Sequence, residues 1–271
     1  MSAIDLQGKT ALVTGASAGI GAAAAVELAR RGVTVAICAR RGDRLAEVLA
    51  HCREHAPESR SWTIDLADLD GIAPFAADVE AALGRVDLLV NNAGIPKRRH
   101  VRDLTVAEVE TVMTVNYLAP IRLTLALLPG MLARDFGRVF FVASVAARLG
   151  PPRETAYAAS KAAIVAFAES MSIDLDGTGV ETQLFQPGVI DTELFELPDN
   201  EATLADLERL PVGDAGRAIA DQLADGAFER YLPDWFPAVV AHKFTDVEGF
   251  LEGNRAWTRM RVEQLAGDVS T

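Results

Sequence analysis

The chain has 271 residues, 50% of them hydrophobic and 24% charged, with a formal net charge of −12. That length suits one α/β domain with a sizeable core. The acid excess excludes a nucleic-acid-binding surface, which carries surplus lysine and arginine.

Strand-like and helix-like segments then alternate. Residues 10–14 form a short strand and 19–31 an alanine-rich helix closed by Gly32. A second strand at 33–39 precedes a helix at 41–55, and a third at 61–64 precedes a helix at 69–83. The fourth, 86–91, contains LLVNN and is apolar enough to be buried on both faces. A long helical region at 105–134 leads to a strand at 138–143, a helix that carries Tyr157 and runs to about 176, and a strand at 180–185. Residues 229–233 are the candidate seventh strand. This rhythm predicts an α/β protein with a Rossmann-type, doubly wound parallel sheet. No repeat or linker interrupts it, so residues 1–271 are read as one domain: a core at 6–192, a segment at 193–214 and a C-terminal extension at 225–271.

Cys38 and Cys52 are the two cysteines. Cys38 lies in an apolar strand-like run, which points to reduced thiols in a cytoplasmic protein rather than to a disulfide or metal site. The N-terminal MSAIDLQGKT lacks a signal-peptide pattern, and the longest strongly apolar run, 139–147, is too short to span a bilayer.

Three motifs carry chemistry. The first strand-to-helix turn reads TGASAGIG, with Gly15, Gly19 and Gly21. Glycines there let the backbone approach a pyrophosphate, towards which the first helical amides point. The second is Ser144 followed by Tyr157 and, four residues on, Lys161. On a helix Tyr157 and Lys161 share a face, about 5–6 Å apart at Cβ. A nearby ammonium favours phenolate, and moving a phenol from about 10 towards 7 needs roughly 4 kcal/mol, which one lysine partly shielded from water supplies together with a second positive charge. Ser144 sits at a strand end, offering its hydroxyl to the same oxygen. Taken alone, a tyrosine–lysine pair is an ordinary helix surface. The third is Asn116 with Pro120, which cannot donate a bond to the carbonyl of Asn116; the helix is expected to kink and leave an acceptor for water.

Together these residues resemble the short-chain dehydrogenase/reductase family, in its compact branch of roughly 250 residues, over residues 6–192. The carriers are TGASAGIG at 14–21, Asp65, NNAG at 91–94, Asn116, Ser144, YAASK at 157–161, and Pro187–Gly188 with Thr192. The resemblance implies hydride transfer between nicotinamide C4 and a carbonyl or secondary alcohol. Tyr157 is then the general acid or base, Lys161 lowers its pKa and holds the nicotinamide ribose, Ser144 polarises the carbonyl, and Asn116 holds a water. It implies cofactor contacts from Gly15, Ser17, Gly19, Ile20, Gly21, Arg40, Arg41, Asp65, Asn91, Ala93, Gly94, Tyr157, Lys161, Pro187, Gly188 and Thr192. It also implies a homodimer or homotetramer built on the helices at 105–134 and 155–176. A catalytically idle NADP(H)-binding regulator is the alternative.

Cofactor choice turns on the end of the second strand. An acid there suits the ribose 2′-hydroxyl of NAD, and a basic residue suits a 2′-phosphate. The chain reads VAICARR, with no acid before Asp43, so NADP(H) is expected and NAD(H) is the alternative.

Three stretches stay open. The run Lys97, Arg98, Arg99, His100, Arg102 is either a basic rim favouring anionic substrates or a loop paired with acids elsewhere. Residues 193–210, with Leu194, Phe195, Leu197 and Leu204, correspond to the family's substrate lid and suggest an apolar substrate. The aromatic tail, from Tyr231 to Trp257, either closes the pocket, covers a neighbouring subunit or rests on a membrane; it is not basic enough to favour the last.

Overall fold

A computed structural model describes residues 2–268; Met1 and residues 269–271, at the two ends of the expected domain, lie outside the described residues. Seven strands form one parallel sheet: β1 Thr10–Thr14, β2 Thr34–Ala39, β3 Arg60–Thr63, β4 Leu88–Asn91, β5 Gly137–Val142, β6 Val180–Pro187 and β7 Glu229–Leu232. Their order is β3-β2-β1-β4-β5-β6-β7. The order reverses between β1 and β4, which opens a crevice at the carboxyl ends of these two strands.

Strand alternation builds two cores. Ala11 and Val13 of β1, with Val35 and Ile37 of β2, face α1 Gly19–Arg30, α2 Gly42–Arg53 and α8 Val212–Asp225. Leu12, Ala36 and Cys38 face α3 Ile72–Leu83, α5 Ala119–Ala133 and α7 Thr155–Asp174. The period of two and the apolar residues on both faces explain why these strands read as near-continuous hydrophobic runs. Cys38 and Cys52 are buried free thiols in separate cores, and burial pushes both up to about 12.

Two elements depart from expectation. The 105–134 helix is three pieces: α4 Val106–Met113, a π turn at Thr114–Leu118, and α5. Pro120 opens α5, and Ala119 N bonds Thr114 O across the widened turn, so the missing donor is absorbed by a π bulge rather than a plain kink. This 28-residue rod, Val106–Ala133, is long and apolar enough by composition to cross a membrane. Its inner face, however, is core, through Leu123, Leu127 and Met131. The other departure is α8, absent from the sequence assignment, which packs on α1 so closely that Gly216 lies against the backbone of Ala23.

α6 Ala146–Leu149 follows β5; after β7 come α9 Phe236–Thr245 and α10 Val247–Asp268.

Candidate active site

The crevice is a cleft of about 1120 Å³. At one end the β1–α1 turn passes the loop after β4. Gly15 has φ +66, and a β-carbon there would lie 2.8 Å from Ala93 Cα, so only glycine fits. Gly19 and Ile20 line the same wall, and Thr192 lies against Gly19 from the opposite lip. Arg40 and Arg41 follow β2, both exposed and both on the cleft; Arg41 Nε and Nη2 donate to the Ser17 hydroxyl at 3.3 and 3.2 Å.

Ala93, Gly94 and Asp65 also line the cleft. The carboxylate of Asp65 accepts from Ala67 N at 3.0 Å and so closes a turn, while α3 starts only at Ile72. The side chain of Asn91 is turned away: its Nδ2 donates to Thr124 Oγ1 of α5 at 3.1 Å inside the core. Strand alternation therefore puts Asn92, not Asn91, on the cleft, and Asn92 Nδ2 braces the glycine turn through Thr14 O at 2.8 Å. Asn92 was readable as the alternate residue of NNAG and was missed.

The other end gathers the expected chemical group. Ser144 follows β5, and its Oγ accepts from Ala146 N at 3.1 Å. α7 carries Tyr157 and Lys161 one turn apart, with Lys161 Nζ 5.9 Å from the phenol ring centroid and donating to Val142 O at 2.9 Å. Gly94 brings Lys161 together with the π turn: a β-carbon there would sit 3.3 Å from Asn116 Oδ1 and 3.4 Å from Lys161 Nζ. The buried Asn116 side chain is fully engaged. Oδ1 accepts from Ile95 N at 2.8 Å, and Nδ2 donates to Ile95 O and Ser160 Oγ, each at 3.0 Å.

Burial dominates the electrostatics of this end of the cleft. Burial, and after it the carboxylate of Glu154, push Tyr157 above the ordinary phenol value, against the opposing effects of the Ser144 hydroxyl and the Arg98 guanidinium. Lys161 is itself pulled down to about 8 by burial. Lys161 therefore does not make the phenol acidic by itself, because both groups share one desolvated wall. At neutral pH Tyr157 holds its proton. Glu154, three residues before it and raised by burial, carried no sequence signal.

The basic run is the paired loop of the two readings, although Lys97 and Arg98 also line the cleft. Lys97 pairs with Glu108 at 2.9 Å and Asp199 at 2.7 Å, and Arg99 pairs with the same two acids. His100 N donates to Glu201 Oε1 at 2.7 Å. Arg98 is 2% exposed. It donates to the carbonyls of Leu194, Phe195 and Glu201 and lies 5.5 Å from the Phe195 ring centroid. These charges fasten the 194–201 segment to the body. Arg98→Met is expected to cost about 2 kcal/mol, since it strands buried carbonyls. A lower urea midpoint with faster proteolysis inside 194–210 is the result to look for.

Pro187 ends β6 and Gly188 follows it; Val145 N bonds Pro187 O at 3.0 Å and Gly188 N bonds Leu232 O at 2.8 Å. The Phe236 ring lies against Gly188 and stacks on Trp235 at 4.1 Å, which brings α9 over the cleft. Trp235, Phe236, Phe250 and Trp257 line it together with Leu194, Phe195 and Leu204. Of the three roles open to the aromatic tail, these contacts show pocket closure.

The arrangement of glycine turn, cleft and tyrosine–lysine pair has counterparts in known proteins. Over 194 residues the chain is 42% identical to a short chain dehydrogenase of Pseudocercospora fijiensis, covering 70% of this chain and 62% of that protein. It thus spans less than two thirds of that relative's length. It is 32% identical over 213 residues to the 3-oxoacyl-acyl-carrier-protein reductase FabG of Vibrio harveyi, covering 79% of this chain and 86% of that one. A solved short chain dehydrogenase/reductase from Burkholderia phymatum in complex with NAD superposes with a TM-score of 0.82 over 90% of this chain and 96% of its own, at 24% identity, a likeness of fold. The model for short chain dehydrogenase matches residues 9–202, the stretch that builds β1 to β6 and every residue of the tyrosine–lysine end. The chain belongs to the short-chain dehydrogenase/reductase family of oxidoreductases.

Proposed function

We propose that this oxidoreductase uses NADP(H) to interconvert a carbonyl and a secondary alcohol on an apolar small molecule. The observation that carries the reading is the meeting of Ser144, Tyr157, Lys161 and Asn116 at one end of a cleft whose other end holds the glycine turn and two arginines. A dinucleotide fits those two ends. Its pyrophosphate would suit the amides of Gly19, Ile20 and Gly21 at the start of α1, and Asp65 and the Asn91–Gly94 loop would hold its adenosine. Arg40 and Arg41 suit a 2′-phosphate, Pro187, Gly188 and Thr192 suit the carboxamide, and Lys161 suits the ribose. When bound, the cofactor supplies or accepts the hydride.

The protein's own groups handle the proton. Tyr157, protonated at neutral pH, donates from its hydroxyl to the substrate oxygen, which the Ser144 hydroxyl holds. That state favours reduction; oxidation needs the added positive charge of an oxidised nicotinamide to make the phenol a base. Asn116 ties the π turn to the Ile95 backbone and keeps Lys161 in register, and a water held there would be the proton exit. The apolar walls of the cleft suit an apolar substrate, with 193–214 as a lid on the 6–192 core and 225–271 as its cover within one domain.

Leu118, Leu125 and Leu132 form an exposed stripe seven residues apart along the α4–α5 rod, which suits a homo-oligomer interface. Buried free thiols fit a cytoplasmic setting.

Turnover of NADPH with aldehydes, ketones or keto-acyl esters tests the reading. Binding of NADPH without turnover of any member of that panel would instead make the protein a regulator. Arg40→Asp is expected to lower the NADPH-to-NADH ratio of kcat/KM by about 10- to 100-fold, the worth of a charge-assisted hydrogen bond. An unchanged ratio would remove Arg40 from cofactor choice.

A further inference from the structure

Two arginines beside the end of β2 are paired with one carboxylate from the opposite lip of the cleft. Arg41 Nη1 lies 2.9 Å from Glu193 Oε2, and Arg44 Nη1 is bonded to Glu193 Oε1. Arg41 also holds the Ser17 hydroxyl through its other nitrogens, so one guanidinium touches both the glycine turn and Glu193. Glu193 directly follows Thr192, which rests on Gly19, and it opens the turn Glu193–Phe195. The next two carbonyls, of Leu194 and Phe195, are bound by Arg98. The root of the segment is therefore bolted twice, by Glu193 to the adenosine end and by Arg98 to the loop after β4.

The two bolts differ in kind. Arg98 is buried, but the side chains of Glu193, Arg41 and Arg44 are 50%, 44% and 40% exposed, so ligands and salt reach them. The pair of arginines holds the Glu193 carboxyl below its usual range.

We infer that Glu193 is an internal stand-in for the adenosine 2′-phosphate: its carboxylate fills the anion site formed by Arg41 and Arg44, with Arg40 beside them on the cleft wall, and a 2′-phosphorylated adenosine binds by exchanging with it. This rests on the NADP(H) reading. Charge drives the exchange forward. A phosphate monoester carries about −1.5 to −2 at pH 7 and balances two guanidiniums, whereas one carboxylate leaves a positive charge unmatched. The two anions do not share the site, because like charges at hydrogen-bonding range repel. Once displaced, Glu193 frees one bolt of the segment, and Arg98 keeps the other. A 2′-phosphate thus loosens the edge of the substrate chamber, and an unphosphorylated ribose does not.

Calorimetry of the full chain with 2′,5′-ADP and with 5′-AMP tests this, using the wild type and Glu193→Gln. The variant is expected to bind 2′,5′-ADP about five- to tenfold tighter, the worth of two exposed ion pairs, and 5′-AMP within about twofold of wild type. In the wild type, 2′,5′-ADP should speed hydrogen exchange at the amides of residues 194–197, and 5′-AMP should not. Equal gains for both nucleotides, no gain, or unchanged exchange would overturn the inference while a wild-type preference for 2′,5′-ADP keeps the NADP(H) reading standing. If neither protein prefers 2′,5′-ADP, the cofactor reading fails first and this inference with it.

Discussion

Tyr157→Phe is expected to lower kcat with NADPH by about 10³-fold while the Kd for NADPH stays within about twofold. The substitution removes one hydroxyl and keeps the ring, so the wall of α7 and the position of Lys161 are preserved. What disappears is the proton that the protein's own electrostatics keep on that oxygen at neutral pH, through burial and Glu154. A positioned general acid contributes typically 10²–10⁴-fold. The Ser144 hydroxyl remains, but a serine is too weak an acid to take over the transfer. Steady-state rates and a fluorescence titration of NADPH decide the matter. A kcat within tenfold of wild type would mean that the proton comes from elsewhere, and the catalytic reading of this cleft would be lost.

The second large effect concerns the cost of holding an ammonium in that wall. Lys161 is 5% exposed and is pulled from 10.5 down to about 8. Between those two values the unfolded chain binds a proton that the folded chain lacks, so stability rises with pH across this window. Below about 8 both states are protonated and the penalty is complete. Lys161→Met removes the titration. Relative to that variant, the wild type should therefore gain about 2.5 kcal/mol as pH is raised from 7 to 10. Cys38 and Cys52 pull the other way, because burial raises them and the unfolded chain loses their protons first, but they do so in both proteins and cancel in the difference. Urea midpoints at pH 7, 8, 9 and 10 give the comparison. A flat difference would show an ammonium that is solvated after all. The direction matters for function, since a lysine destabilised in the folded protein is relieved by a partner that enters the cleft.

The points that the sequence left undecided share a cause. The basic run beginning at Lys97 looks unusual because the chain is acidic overall, yet Glu108 and Asp199 neutralise Lys97 and Arg99 across the segment edge. Asn91 and Asn92 are chemically identical, and only the register of β4 decides which one braces the glycine turn. Helical spacing offers Tyr157 one lysine, which needs a second positive charge beside it to make the phenol acidic, whereas the direction in this cleft follows from burial and from Glu154, Ser144 and Arg98, groups that no spacing rule connects. The π bulge at Thr114–Leu118 lies between the two outcomes: Pro120 marks the place of the break, and packing against α7 selects its form.

What the sequence by itself determined is local: the order of strands and helices, the glycine turn between β1 and α1, and the tyrosine and lysine one turn apart on α7. Each rests on periodicity or on backbone chemistry within a few residues, which a linear chain displays directly. Only the tertiary structure decided which charges are spent on each other, which face of a strand meets the cleft, and how α9 and α10 roof it with aromatic rings. Those outcomes depend on contacts between residues about a hundred positions apart, such as Arg98 with Leu194, and on the loss of water around them.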